Sequence, residues 1–248
     1  MGALDLLILV AGLAFAGFAK GLTGMGLPLV ATPILAGVFG PRAAVVIVTI
    51  PILASNTILV LQGFRRLDVL RGTVPVIVAC VIGTIIGVNL LAQLDQRTFA
   101  LLITVMVALF LLRGDRLLGD DPAARRARII GPLFGLVGGV MLGTTSIGSP
   151  VIGSYFHARR LPPRDYVIAV ATVFQISAIT QLIGFSLLGL YTPEIVALGL
   201  FGLVPTLLAL MAGVFLRGRV DPQLFRRLIV ALLVVSVANL LWRSFGPV

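Results

Sequence analysis

Side chains that ordinarily carry out chemistry are scarce in this chain: 248 residues include one cysteine, one histidine and nine carboxylates, against nineteen Lys and Arg. The lone cysteine, Cys80, excludes an internal disulfide and any Cys-based metal cluster, and its place in an apolar run suits a small buried hydrophobe. His157 lies close to Arg159, which favours a loop position over a proton relay or a metal ligand. No HExxH motif and no phosphate-binding P-loop occurs, and no Ser-His-Asp set can be assembled around the one histidine. An enzyme, an ATPase, a metal centre and a bound cofactor are therefore not expected. No run of carboxylates falls inside an apolar segment either, which leaves proton coupling without an obvious carrier.

What the chain does have is apolar surface. Apolar residues make up 59%, charged residues 11%, and the mean hydropathy is +1.14, far from the roughly 25% charge of an average soluble domain. The class is an integral membrane protein. Bilayer-length apolar runs lie at 43–63, 70–93, 165–188, 194–216 and 223–242, with a shorter one at 98–112. The loops between them are short and leave no room for a soluble domain. The start of the chain carries Asp5 and lacks a basic n-region, so a retained first segment is expected rather than a cleaved signal.

An excess of basic residues would suggest nucleic acid in a soluble protein, but here it falls in loops. Arg65, Arg66 and Arg71 form one group; Arg113, Arg116, Arg125, Arg126 and Arg128 lie in or beside a central linker. Arg159, Arg160 and Arg164 form a third group, and Arg217 and Arg219 a fourth. The positive-inside rule accounts for all four if they share the cytoplasmic side.

The pattern G-x-T-x-x-G-x-P occurs twice, as Gly21, Thr23, Gly26, Pro28 and as Gly143, Thr145, Gly148, Pro150. The same shift of 122 residues pairs Gly17 with Gly139, Pro41 with Pro163, Arg42 with Arg164 and Ser55 with Ser177. Further on, a shift of 126 pairs Gly87 with Gly213, Asp95 with Asp221 and Phe99 with Phe225. Two ordered blocks of matches indicate a duplicated unit.

The basic groups fall on one side only if residues 4–39 and 129–158 each leave and return to a single face. The expected fold is therefore an all-α polytopic membrane protein of two inverted structural repeats, each a re-entrant helical hairpin plus three transmembrane helices. It forms a single membrane domain over 1–248, with repeat one at 1–113, a cytoplasmic linker at 114–128 and repeat two at 129–248. Both termini face outward, and inversion follows from the odd number of crossings per repeat. The hairpin tips, Gly21 to Gly26 and Gly143 to Ser149, enter from opposite faces and are expected to meet near the midplane.

The tip chemistry points to an anion. Glycines permit close approach of a ligand to the backbone, and Pro28 and Pro150 suit the first turn of a following helix. Each tip then presents free N–H groups and a positive dipole end. The candidate substrate-binding residues are Lys20, Gly21, Thr23, Gly24 and Gly26 from the first tip, and Gly143, Thr144, Thr145, Ser146, Gly148 and Ser149 from the second. Asn56 and Gln175, amides in mid-span, complete the set. The alternative is that the hydroxyls only cap helix ends, the glycines only permit tight packing and Lys20 snorkels to the interface. Asp95 and Asp221 read as N-caps, and Arg42 and Arg164 as anchors at the hairpin exits.

The stretches GLTGMGLPLVATPIL and GTTSIGSPVIGSYF, each a Gly-rich break before a short Pro-containing helix in a chain of two related halves, resemble the sulfite exporter TauE/SafE family, also called the toluene sulfonate uptake permease family. The resemblance implies a secondary transporter of small sulfur-containing or organic anions such as sulfite, sulfonates or sulfoacetate, in the bacterial inner membrane, with lipid around it. This chain carries Thr23, Met25, Thr144, Thr145 and Ser146 where the family is richer in consecutive glycines. A passive anion channel through the same tips, or a membrane scaffold without transport, are the competing readings. The small-residue faces suit packing within one chain or between two copies in a homodimer.

Overall fold

The computed structural model describes residues 2–24, 26–113 and 124–245, and among these the regular structure is helical throughout. The helices are α1 (Ala3–Thr23), α2 (Leu27–Phe39), α3 (Pro41–Gln62), α4 (Val74–Gln93), α5 (Gln96–Arg113), α6 (Ala124–Thr145), α7 (Ser149–Ala158), α8 (Pro163–Leu187), α9 (Pro193–Phe201), α10 (Leu203–Phe215) and α11 (Pro222–Phe245), with a 3-10 stretch at Phe64–Leu70. Six helical stretches among the described residues are long and apolar enough to cross a bilayer, α9 and α10 counting together as one. The protein is multi-pass. Most of the expected linker over 114–128 lies outside the described residues.

Local chemistry sets the helix ends. Proline stands in the first turn of α2, α3, α4, α7, α8 and α9, where its missing N–H removes no helical bond. Asp95 caps α5: its carboxylate accepts from Arg97 N–H, Thr98 N–H and the Thr98 hydroxyl. Asp221 accepts from Gln223 N–H at the start of α11. The segment expected as one crossing at 194–216 is broken at Gly202. Pro205 has no N–H to bond the carbonyl of Phe201, and a Cβ on Gly202 would lie 2.2 Å from the Leu13 side chain of α1.

Large apolar side chains also cover the outside. On α4, Val74, Val78, Ile82 and Ile85 are exposed on one face, and Gly83 and Gly87 approach a neighbouring backbone. This is the pattern of a helix between lipid and protein.

The closest approaches of helix backbones join α1 to α10 and α4 to α6. A Cβ on Gly17 would lie 2.3 Å from Thr206 O, and one on Gly21 2.3 Å from Leu210 O. On the other pair, a Cβ on Gly139 would lie 2.1 Å from Cys80 O, and one on Gly143 2.3 Å from Thr84 O. Gly17 and Gly139, like Gly21 and Gly143, are 122 positions apart; Cys80 and Thr206, like Thr84 and Leu210, are 126 apart. The two shifts found in the sequence thus relate two equivalent helix contacts, each joining one half of the chain to the other.

Candidate functional site

The two breaks are built alike. Thr23 and Thr145 each turn their hydroxyl back to the carbonyl four residues earlier, Ala19 and Met141. The next residues, Gly24 and Ser146, take the left-handed conformation at φ 83° and 59°, and their N–H groups close onto Lys20 O and Leu142 O. Ser146 is one of the two non-glycine residues with positive φ among those described, a conformation that costs about 1–2 kcal/mol for an L-residue. Gly26 and Gly148 then serve as N-caps of α2 and α7 with no side-chain cap.

The breaks differ in what braces them. Lys20 is 2% exposed and donates to Ser55 Oγ at 2.9 Å and to Asn56 Oδ1, both on α3. It does not snorkel. Among the described residues no carboxylate pairs with it, so its partners are neutral. With Asn56 Oδ1 turned to Lys20, the Asn56 Nδ2 group is buried without a hydrogen-bond partner. At position 142 the second repeat has leucine, and the brace comes from the opposite side: Gln181 of α8 donates to Leu142 O and to Ser146 Oγ. Gln181 stands four residues after Ser177 in an apolar run, a visible signal that carried no binding role in the sequence reading.

The other candidates divide clearly. Gln175 donates to Thr57 Oγ1 at 2.9 Å, and its Oε1 is buried without a partner. Ser149, 3% exposed in the first turn of α7, has a hydroxyl without a partner. Thr144 and Thr145 are buried with their hydroxyls donating to Val140 O and Met141 O, and Thr145 Oγ1 also accepts from Ile147 N–H. Thr23 is exposed. Gly21 and Gly143 are committed to backbone packing, and the Gly21 carbonyl also accepts from Arg217 at 2.7 Å. A Cβ on Gly24 would strike Val167, one on Gly148 would strike Leu142, and one on Gly26 would meet open space.

The expected meeting of the tips is corrected by these contacts. The first break rests on Val167, in the first turns of α8, whereas the second is held at Gln181 near the other end of that helix. The intervening stretch is about 21 Å long at 1.5 Å per residue. The cause is the length of the entering helices. α1 has 21 residues, a length that could cross a bilayer, and its end lies beside Arg217. Each break has its own surroundings, and the one holding Lys20 and Asn56 carries the buried charge.

A family profile, Sulfite exporter TauE/SafE, matches residues 8–240. The chain belongs to this family. TauE/SafE proteins are membrane transporters for sulfur anions, in agreement with the apolar helices described above. No curated protein and no solved structure gives a significant match.

Proposed function

We propose that this TauE/SafE protein is a secondary transporter of small sulfur-containing or organic anions, and that the anion binds at the first break, against Lys20 and Asn56. The supporting observation is the buried Lys20 ammonium with only neutral partners. An uncompensated cation in a bilayer is costly, and an anionic substrate supplies the missing charge. Asn56 Nδ2 adds two donors at the same place. The two halves act as inverted repeats, and movement of the interlocked helix pairs α1–α10 and α4–α6 against the other helices exposes the site to either side of a bacterial inner membrane in turn. The basic turns at 63–73, 159–164 and 216–221 face the cytoplasm, which puts both termini outside.

The test is Lys20→Met in reconstituted vesicles, with sulfite, sulfoacetate and an aryl sulfonate as substrates. Removing a charge-assisted hydrogen bond of about 2 kcal/mol lowers affinity roughly 30-fold. Melting temperature changes little, because an apolar side chain of similar length fills the same space. Unchanged saturable uptake by the variant, at equal protein per vesicle, would refute the site. Uptake that never saturates in the parent protein would assign a channel instead of a carrier.

A further inference from the structure

At the end of the molecule formed by the α2–α3, α4–α5 and α8–α9 turns lies a cavity of about 650 Å³, whose wall includes Gly40, Arg42, Val46, Asp95, Gln96 and Ile195. A second cavity of about 440 Å³ shares Gly40 and Gln96 with it and reaches Arg243. Under the positive-inside reading this end faces outward, opposite the basic turns.

Three observations connect the cavity to Lys20. The first is spacing: Arg42, Val46, Thr49, Leu53 and Asn56 follow one another at intervals of four and three, which places them on one face of α3. The top of that face, at Arg42 and Val46, lines the cavity, and its lower end, at Asn56, holds Lys20. The second is unused hydrogen-bonding capacity along the same line. Tyr191 lies beside the Thr49 side chain and next to Leu190, itself part of the cavity wall. Its hydroxyl is buried without a full hydrogen bond, as is the Asn56 amide nitrogen further in. Both are donors, the kind of group an anion needs. The third is charge. Arg42 and Arg243 border the joined cavities, and the one carboxylate on their walls, Asp95, is already occupied by Arg97 N–H, Thr98 N–H and the Thr98 hydroxyl. Arg42 is itself fixed in place by bonds to Ala92 O and Leu94 O.

We propose that the cavity is the access vestibule for a small organic or inorganic anion, and that this face of α3 is its path to Lys20, closed in this structure at Val46 and Tyr191. Val46 is 1% and Thr49 0% exposed, so the path is shut just below the cavity. Tyr191, tilted against Phe185 with ring centroids 6.4 Å apart, is the side chain whose movement opens it. Its hydroxyl then donates to the passing anion. The inference rests on the proposed anion site and goes beyond it by fixing the route and the outer gate.

Cys80 is the only cysteine, so Cys80→Ala gives a thiol-free background in which one introduced cysteine reports accessibility. Val46→Cys lies at the bottom of the vestibule and Ala43→Cys higher on its wall, where substitution disturbs less packing. In vesicles, a sulfonate-bearing thiosulfonate reagent is expected to label both at least 10-fold faster than its trimethylammonium counterpart, each rate being normalised to a free thiol. Sulfoacetate is expected to slow labelling at position 46. Tyr191→Phe, at unchanged melting temperature, is expected to lower sulfoacetate uptake about 10-fold. Equal rates for the two reagents at both positions, or full uptake by Tyr191→Phe while Lys20→Met is inactive, overturn the vestibule and leave the Lys20 site standing. Full uptake by Lys20→Met removes the site and the route together.

Discussion

One substitution between the repeats decides where charge sits. Position 20 is lysine and its counterpart, Leu142, is not, so two otherwise equivalent breaks offer different chemistry. The lysine was conspicuous in the sequence. Its direction was not, because Ser55 and Asn56 lie more than thirty residues away and only the tertiary fold brings α3 within reach of the ammonium. At the hydroxyl-rich second break the local bonds were likewise hidden. Thr144 and Thr145 looked like donors for a ligand, but a threonine in the last turn of a helix can donate to the carbonyl four residues earlier, and both do. Ser149 is different, since it enters its helix too early to have such a carbonyl. Ser149→Ala is therefore expected to leave both the melting temperature and anion binding at the Lys20 break unchanged, which equilibrium binding and thermal melts on one sample would reveal. A loss of stability would mean that the hydroxyl serves structure.

Helices were legible as elements, since apolar runs at 43–63, 70–93 and 165–188 correspond to α3, α4 and α8 within a few residues at each end. The break at Gly202 was not, because it depends on Leu13 of a distant helix as well as on Pro205. The unequal arms around the first break were not legible either: α1 has 21 residues and α2 has 13. Glycines in the helix contacts should be intolerant of any side chain. Gly139→Ala puts a Cβ 2.1 Å from a backbone carbonyl and is expected to destabilise by about 2–3 kcal/mol or to prevent accumulation. Gly218→Ala, in open space at φ 86°, should cost only about 1 kcal/mol, and unfolding in mild denaturant compares the two. Capping of α5 gives a pH test. The Thr98 hydroxyl and backbone N–H groups hold the Asp95 carboxyl below its usual range. A depressed value means the cap stabilises at neutral pH, fully so above the ordinary carboxylate range near 4, and is lost as pH falls through the lowered value. The stability difference between parent and Asp95→Asn should accordingly shrink on acidification below about pH 4.

At the scale of the molecule, the shifts of 122 and 126 residues relate the contact of Gly17 with Thr206 to that of Gly139 with Cys80. Membership of the TauE/SafE family rests on nearly the whole chain. Relative placement of the breaks was hidden, since no periodicity in sequence encodes how far along α8 each one docks. The cross-half grip of α1 by α10 and of α6 by α4 also bears on how the protein is made. The ribosome releases α1 first, yet the surface that receives its glycines is on α10, made almost two hundred residues later. Until then the membrane must hold a helix with a lysine near its end and an uncovered small-residue face. For α6 the order is reversed, because α4 has already been made. Synthesis thus completes the second half's grip before the first's, and the earliest helix to leave the ribosome is among the last to find its place.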